Sequence, residues 1–174
     1  HVLGSPKYFF TKNKNLKKKN DFLILPNANK KSLDYLINFF INFNNKYKEE
    51  KFNFIIRCHP IMSRQNRNKI CQIISKYKNF KISNSSLNSD LKKSKFVIFD
   101  ESSISLYCYK FKTIPLYFDY SKSKRKNMDY NFPKELIITS HINLREIHEK
   151  QLSQKVKDYL RYVSKNYFIK MKKI

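Results

Sequence analysis

Two short segments hold the residue types that could do chemistry. In the first, Ile55-Ile56-Arg57-Cys58-His59-Pro60, an apolar run ends in a guanidinium, a thiol, an imidazole and a proline. A histidine at the carboxyl end of a buried strand faces a ligand crevice. There it can donate to a phosphate oxygen, while the proline stiffens the turn. In the second, Phe99-Asp100-Glu101-Ser102-Ser103, two serines stand between an apolar run and a helical stretch. Serines at a helix start offer hydroxyls and free backbone N–H groups to a phosphate, with the helix dipole behind them. Each segment also has a plainer reading. A histidine can satisfy a loop carbonyl, and serines can simply cap a helix. The pair, in this order and at equivalent strand ends, is more specific than either alone.

Other chemistries are excluded. Gly4 is the only glycine, so neither a dinucleotide-binding GxGxxG nor a P-loop exists. HExxH, GxSxG and paired CxxC motifs are also missing. Cys58, Cys71 and Cys108 follow no zinc-ligand spacing, so reduced thiols and no metal site are expected. His141 and His148 lie on one expected helix face without acidic or cysteine companions and read as surface histidines.

The elements around these segments alternate. Val2-Leu3 reads as a short strand ending in the turn Gly4-Ser5-Pro6, and residues 11–20 as a basic loop. Strands follow at Phe22-Leu25, Phe52-Arg57, Phe80-Ile82, Phe96-Phe99, Ile114-Phe118 and Leu136-Ile138. Helical spacing marks Leu33 to Tyr47, with Ser32 as N-cap, and the regions of Ile70–Tyr77, Leu87–Leu91, Ile104–Lys110, Leu144–Lys150 and Ser153–Tyr167. A basic loop covers 122–131. Strands that are apolar throughout and separated by helices make a parallel sheet covered on both faces. The expected fold is α/β, a doubly wound, Rossmann-like parallel sheet of about six strands, with its ligand at their carboxyl ends. Residues 1–150 form the expected lobe, and 151–174 a C-terminal helix packing on it or leaving it.

The chain has 174 residues, enough for one domain with a full core. Its formal net charge is +24, from 37 Lys and Arg against 13 Asp and Glu. With one glycine, one alanine (Ala28) and an excess of Lys, Asn, Ile, Phe and Tyr, the bias has the character of an AT-rich coding sequence. Much of the lysine then reads as solvated surface, although attraction to anionic partners survives. No apolar run is long enough to span a bilayer, and no signal-peptide core opens the chain. A start at His1, without methionine, reads as a piece of a longer protein. The expected location is the cytoplasm, with peripheral docking at the inner face of the cytoplasmic membrane as a further option.

The order of strand, His-Pro, then Ser89 to Ser103 ending in Asp-Glu-Ser-Ser resembles the donor lobe of GT-B-fold bacterial glycosyltransferases of surface polysaccharides. The pattern is similar to sialyl- and polysialyltransferases, Kdo transferases and CDP-glycerol glycerophosphotransferases, and spans roughly Leu3 to Ile142. The resemblance implies that His59, Ser102 and Ser103 contact the donor phosphate, with His59 as the catalytic residue and Arg57 and Pro60 beside it. Ser5 then belongs to the strand entering the lobe from its partner lobe, and Asn27 to the first crevice loop. Two positions depart from the family pattern. Tyr107 stands where relatives often carry the acidic residue that binds the donor ribose, a contact Asp100 or Glu101 could take over. Phe111 and Lys112 stand where relatives often have a glycine.

The implied function is donor binding for glycosyl transfer in capsule, lipopolysaccharide or other surface-carbohydrate synthesis. The implied partners are a CMP- or CDP-activated sugar, a glycan or lipid-linked acceptor, and an N-terminal lobe that supplies the general base. No cofactor is required. His59, Arg57 and the Ser102–Ser103 helix start would stabilise the departing phosphate. The rival reading is a basic nucleic-acid-binding or membrane-docking module without catalysis, suggested by Lys17-Lys18-Lys19, residues 122–126 and residues 170–173. Anionic lipid would reward each such lysine with about 1 kcal/mol. Nucleic acid is disfavoured, because no RRM, KH or helix-turn-helix signature appears.

Overall fold

Short apolar runs dominate the secondary structure because both of their faces are covered. In the computed structural model, which describes residues 18, 20–100, 104–119, 132–149 and 152–166, six strands form one all-parallel sheet. They are β1 (Asn20–Leu25), β2 (Phe54–Ile56), β3 (Phe80–Ile82), β4 (Ser94–Phe99), β5 (Ile114–Phe118) and β6 (Ile137–Ile138). Their spatial order is β3-β2-β1-β4-β5-β6. The direction of winding therefore reverses between β1 and β4, which opens a crevice at the carboxyl ends of these two strands. The helices are α1 (Lys30–Lys46), α2 (Arg64–Ile74), α3 (Leu87–Lys93), α4 (Ile104–Tyr109), α5 (His141–Glu149) and α6 (Gln154–Asn166).

Period-two alternation sorts the core onto two sides. Phe22 and Ile24 of β1 face the side covered by α1, α2 and α5, whereas Leu23 joins Leu91, Val97, Cys108 and Phe111 beneath α3 and α4. On the first side one register row carries a phenylalanine on four adjacent strands: Phe80, Phe54, Phe22 and Phe96. Their rings stack at centroid distances of 4.3, 5.4 and 5.6 Å across the sheet. Phe40 and Phe43 of α1 close over this row. Burying each such ring supplies about 1.5–3 kcal/mol, and the aromatic pairs somewhat more. α6 holds to the lobe through Val156 and Val163, both buried.

Several local expectations change. α1 begins earlier than its apolar spacing indicates, because Asn29 is the N-cap and accepts from the Lys31 amide at 2.9 Å. Ser32 is instead a buried residue inside the helix, and its hydroxyl donates to Asp100. β2 is only three residues long. His141 and His148 are half-buried rather than on the surface. His141 packs on Phe39 at 4.4 Å, and burial lowers its pKa. His148 lies against Phe52 at 4.8 Å and places Nε2 3.2 Å from Asp21 Oδ1. Burial alone would push the Asp21 carboxyl up, but the His148 and Asn53 hydrogen bonds outweigh it and hold the carboxyl below its ordinary value. Lys112 adopts φ 51°, the left-handed conformation, directly after α4. The amides of Phe111 and Thr113 both turn back to the Cys108 carbonyl there, the closure that glycine usually serves. The strand expected at Val2-Leu3 and the basic loop at 122–131 lie outside the described residues.

Candidate functional site

The carboxyl ends of three strands converge on one cavity of about 370 Å³. Leu25, Pro26 and Asn27 enter it after β1, Arg57 to Pro60 after β2, and Asp100 after β4; Leu87 and Ile104, the first residues of α3 and α4, complete the wall. Its place is the switch point between β1 and β4, where doubly wound sheets hold ligands.

His59 stands at the exposed rim of this cavity. Its Nδ1 accepts from the Ile61 amide at 3.3 Å, so in the neutral ring the proton sits on Nε2, which is then a donor. The turn that carries it is fastened from α2. Arg67 donates through Nη2 to the carbonyls of His59 (3.2 Å) and Pro60 (2.8 Å), and through Nε to Met62 (3.2 Å). Cys58, between Arg57 and His59, is half-buried; burial raises its thiol pKa and the nearby Arg67 charge partly offsets this. A thiol so placed is not a ready nucleophile.

Arg57 is held differently. Its Nη1 donates to the Ser85 carbonyl at 2.5 Å and to Asp90 Oδ2 at 3.0 Å, and Ser83 Oγ donates to that same carboxylate oxygen at 2.5 Å. Asp90 is buried on α3. Both Arg57 contacts run through Nη1, which leaves the other guanidinium edge to the cavity it lines. Asp100 is 2% exposed and accepts from Ser32 Oγ at the start of α1.

The cavity thus brings together Asn27, Arg57, His59 and Pro60, with Asp100 behind them. Ser5, Glu101, Ser102 and Ser103 lie outside the described residues. Tyr107 does not line the cavity; its hydroxyl donates to Asn88 Oδ1 at 2.5 Å and ties α4 to α3. Sequence reasoning missed Arg67 and Asp90. Arg67 had a faint signal, a cation one turn into the helix behind the His-Pro turn, but Arg64 answers the same description. Asp90 sits beside the buried Leu91 on a helix whose short length hides its apolar face. Among the described residues no group of His, Cys, Asp and Glu is arranged to hold a metal ion. No described helix is long and apolar enough to cross a membrane.

No protein-family model and no curated protein sequence matches the chain. Solved structures do resemble it. A chain of the GtfA/B complex superimposes with a TM-score of 0.52 at 12% identity, covering 92% of this chain and 35% of that one. The wall teichoic acid polymerase TagF, in a form soaked with CDPG, gives 0.51 at 19% identity, covering 86% and 36%. TarM gives 0.48 at 16% identity. The chain therefore spans about a third of the length of the structures it resembles. At these identities the likeness concerns the fold, a doubly wound Rossmann-like lobe, and it agrees with the strand order.

Proposed function

We propose that this chain is the donor-nucleotide-binding lobe of a glycosyltransferase of surface-carbohydrate synthesis, using a CMP- or CDP-activated donor. One observation carries the reading: the cavity at the β1/β4 switch point gathers a ring N–H donor and a guanidinium edge at the carboxyl ends of parallel strands. That is the chemistry a sugar-nucleotide phosphate requires. Support comes also from the fold, shared with a polymerase whose structure was obtained after a CDPG soak.

In this mechanism the acceptor hydroxyl attacks the sugar's anomeric carbon, the bond from that carbon to the phosphate oxygen breaks, and negative charge grows on the departing nucleotide. His59 donates through Nε2 to a phosphate oxygen, and Arg57 faces the same group with its uncommitted edge. Both interactions strengthen as the charge develops, which is how they favour the transition state. Ser102 and Ser103, which immediately precede α4, extend the phosphate site in this reading. The base that takes the acceptor proton belongs to a second lobe.

The test is titration calorimetry of CMP, CDP and cytidine against the wild-type chain and His59→Ala, with folding checked by circular dichroism. The substitution should weaken CMP and CDP by about 1–3 kcal/mol, the scale of a lost hydrogen bond to a charged group, and leave cytidine unchanged. Equal affinities for CMP in both proteins would return His59 to a purely structural role. Tighter, strongly salt-dependent binding of short RNA would favour a nucleic-acid module instead.

A further inference from the structure

The imidazole of His59 rides on a turn that its own residues hold only at the ends. The turn closes where the Met62 amide donates to the His59 carbonyl at 3.0 Å, and Met62, 4% exposed, fixes its far end in the core. Between those points the Ile61 amide donates to Nδ1 at 3.3 Å. Burial adds little there, because His59 and Pro60 are exposed and Ile61 is 77% exposed. An exposed turn with so few contacts opens readily unless something outside it intervenes.

Arg67 intervenes from α2. Ser63 caps that helix, and the Arg67 amide closes its first turn on the Ser63 carbonyl at 3.1 Å. The side chain then returns to the turn. One edge of its guanidinium, Nε and Nη2, spans the carbonyls of Met62, His59 and Pro60 at 3.2, 3.2 and 2.8 Å. Hydrogen bonds from a cationic donor are stronger than neutral ones, and the planar fork fixes the positions of its acceptors. A lysine ammonium, a point charge on a flexible stem, cannot reproduce that pattern. Arg67 does not line the cavity.

We propose that Arg67 is the positioning residue of His59. Its grip on the three carbonyls keeps the turn in the form in which the Ile61 amide reaches Nδ1, and so keeps Nε2 as the ring's donor toward a ligand phosphate. This rests on the reading of the cavity as a nucleotide site and adds that the site's imidazole is set from α2. Arg67 acts through the turn and not by its own charge on the ligand. The sequence element of the site is then His59-Pro60 together with the arginine eight residues after the histidine.

Arg67→Lys keeps the charge and removes the fork; Arg67→Met removes both. Amide-resolved hydrogen exchange reads the turn without any ligand. In both variants the Ile61 amide should exchange about tenfold faster than in the wild type, with the amides of β1 unchanged as the control for an intact fold. Titration calorimetry reads the consequence. Both variants should bind CDP about five- to tenfold more weakly and cytidine as before. In a His59→Ala background, Arg67→Lys should cost nothing further, since the group it positions is gone.

Wild-type exchange at Ile61 in Arg67→Lys would show that the fork does not hold the turn, and overturns the proposal. An undiminished loss of CDP affinity in the His59→Ala background overturns it too, because Arg67 would then act on the ligand directly. A wild-type chain that binds no CDP sinks the nucleotide reading, while exchange at Ile61 still decides whether Arg67 sets His59.

Discussion

Replacing Arg57 by methionine should destabilise the fold, and by more than removing Arg57 and the charge of Asp90 together. Arg57 and Asp90 are 3.0 Å apart with side chains 27% and 7% exposed. Stripping one partner from a buried pair generally costs about 3–5 kcal/mol, because the remaining charge is left without compensation. Here Arg57 is a quarter exposed and Ser83 still donates to the same Asp90 oxygen. We therefore expect about 2 kcal/mol for Arg57→Met, a fall of roughly 4–8 °C in Tm for a chain of this length. In the double variant, Arg57→Met with Asp90→Asn, no charge is buried unpaired, and the loss should shrink to about 1 kcal/mol. Equilibrium urea unfolding of the wild type, both single variants and the double variant measures the cycle, with an unchanged m-value showing that the unfolded state is comparable. A loss below about 0.5 kcal/mol for Arg57→Met, the scale of an exposed pair, would show that the Arg57–Asp90 contact does not behave as a buried ion pair. Arg57 would then be a mobile cavity cation rather than one held in place from α3.

Two further outcomes follow from backbone and burial. Lys112→Gly should stabilise the chain by about 0.5–1 kcal/mol in the same unfolding assay, because φ 51° strains a side-chain-bearing residue and not glycine. Lys18 donates to the carbonyls of Leu91 and Phe111 and to Thr113 Oγ1, and burial lowers its pKa to about 8, against a smaller opposing influence of Cys108. Below that value the folded state carries the full penalty of a half-buried ammonium. As pH rises from about 8 towards the ordinary lysine value, the unfolded chain holds more protons, so this contribution shifts in favour of folding. The stability difference between wild type and Lys18→Met should therefore move in favour of the wild type between pH 8 and 10, by about 1 kcal/mol once solvent screening is allowed for. A flat difference would show that the ammonium is not penalised.

The sheet was legible because β1, β4 and β5 are apolar on both faces, and such runs between helices leave few topologies. His59 was legible for the same reason: the apolar run stops at Ile56, so the residues after it must emerge at the strand's carboxyl end. Lys112 was legible in part, as the place where a glycine was expected. Ser32 was misread because apolar periodicity marks only where a helix begins to face the core, one turn after Asn29 starts it. His148 was misread because its partner Asp21 lies 127 residues away. The same holds for the Ser32–Asp100 and Arg57–Asp90 contacts, whose polar atoms meet only when the sheet brings distant segments together. Periodicity reports burial, and pairing across the sheet follows from topology.

Hydrogen–deuterium exchange with and without saturating CDP tests directly whether the β1/β4 cavity is the nucleotide site. Exchange should slow at the amides of residues 27–29 and 57–62, and stay unchanged around another cavity, of about 270 Å³, formed by Glu135, Asn143, Glu146 and Ser153 with their apolar neighbours. Protection confined to the cavity beside Glu135, or no protection anywhere, would show that CDP does not bind between β1 and β4.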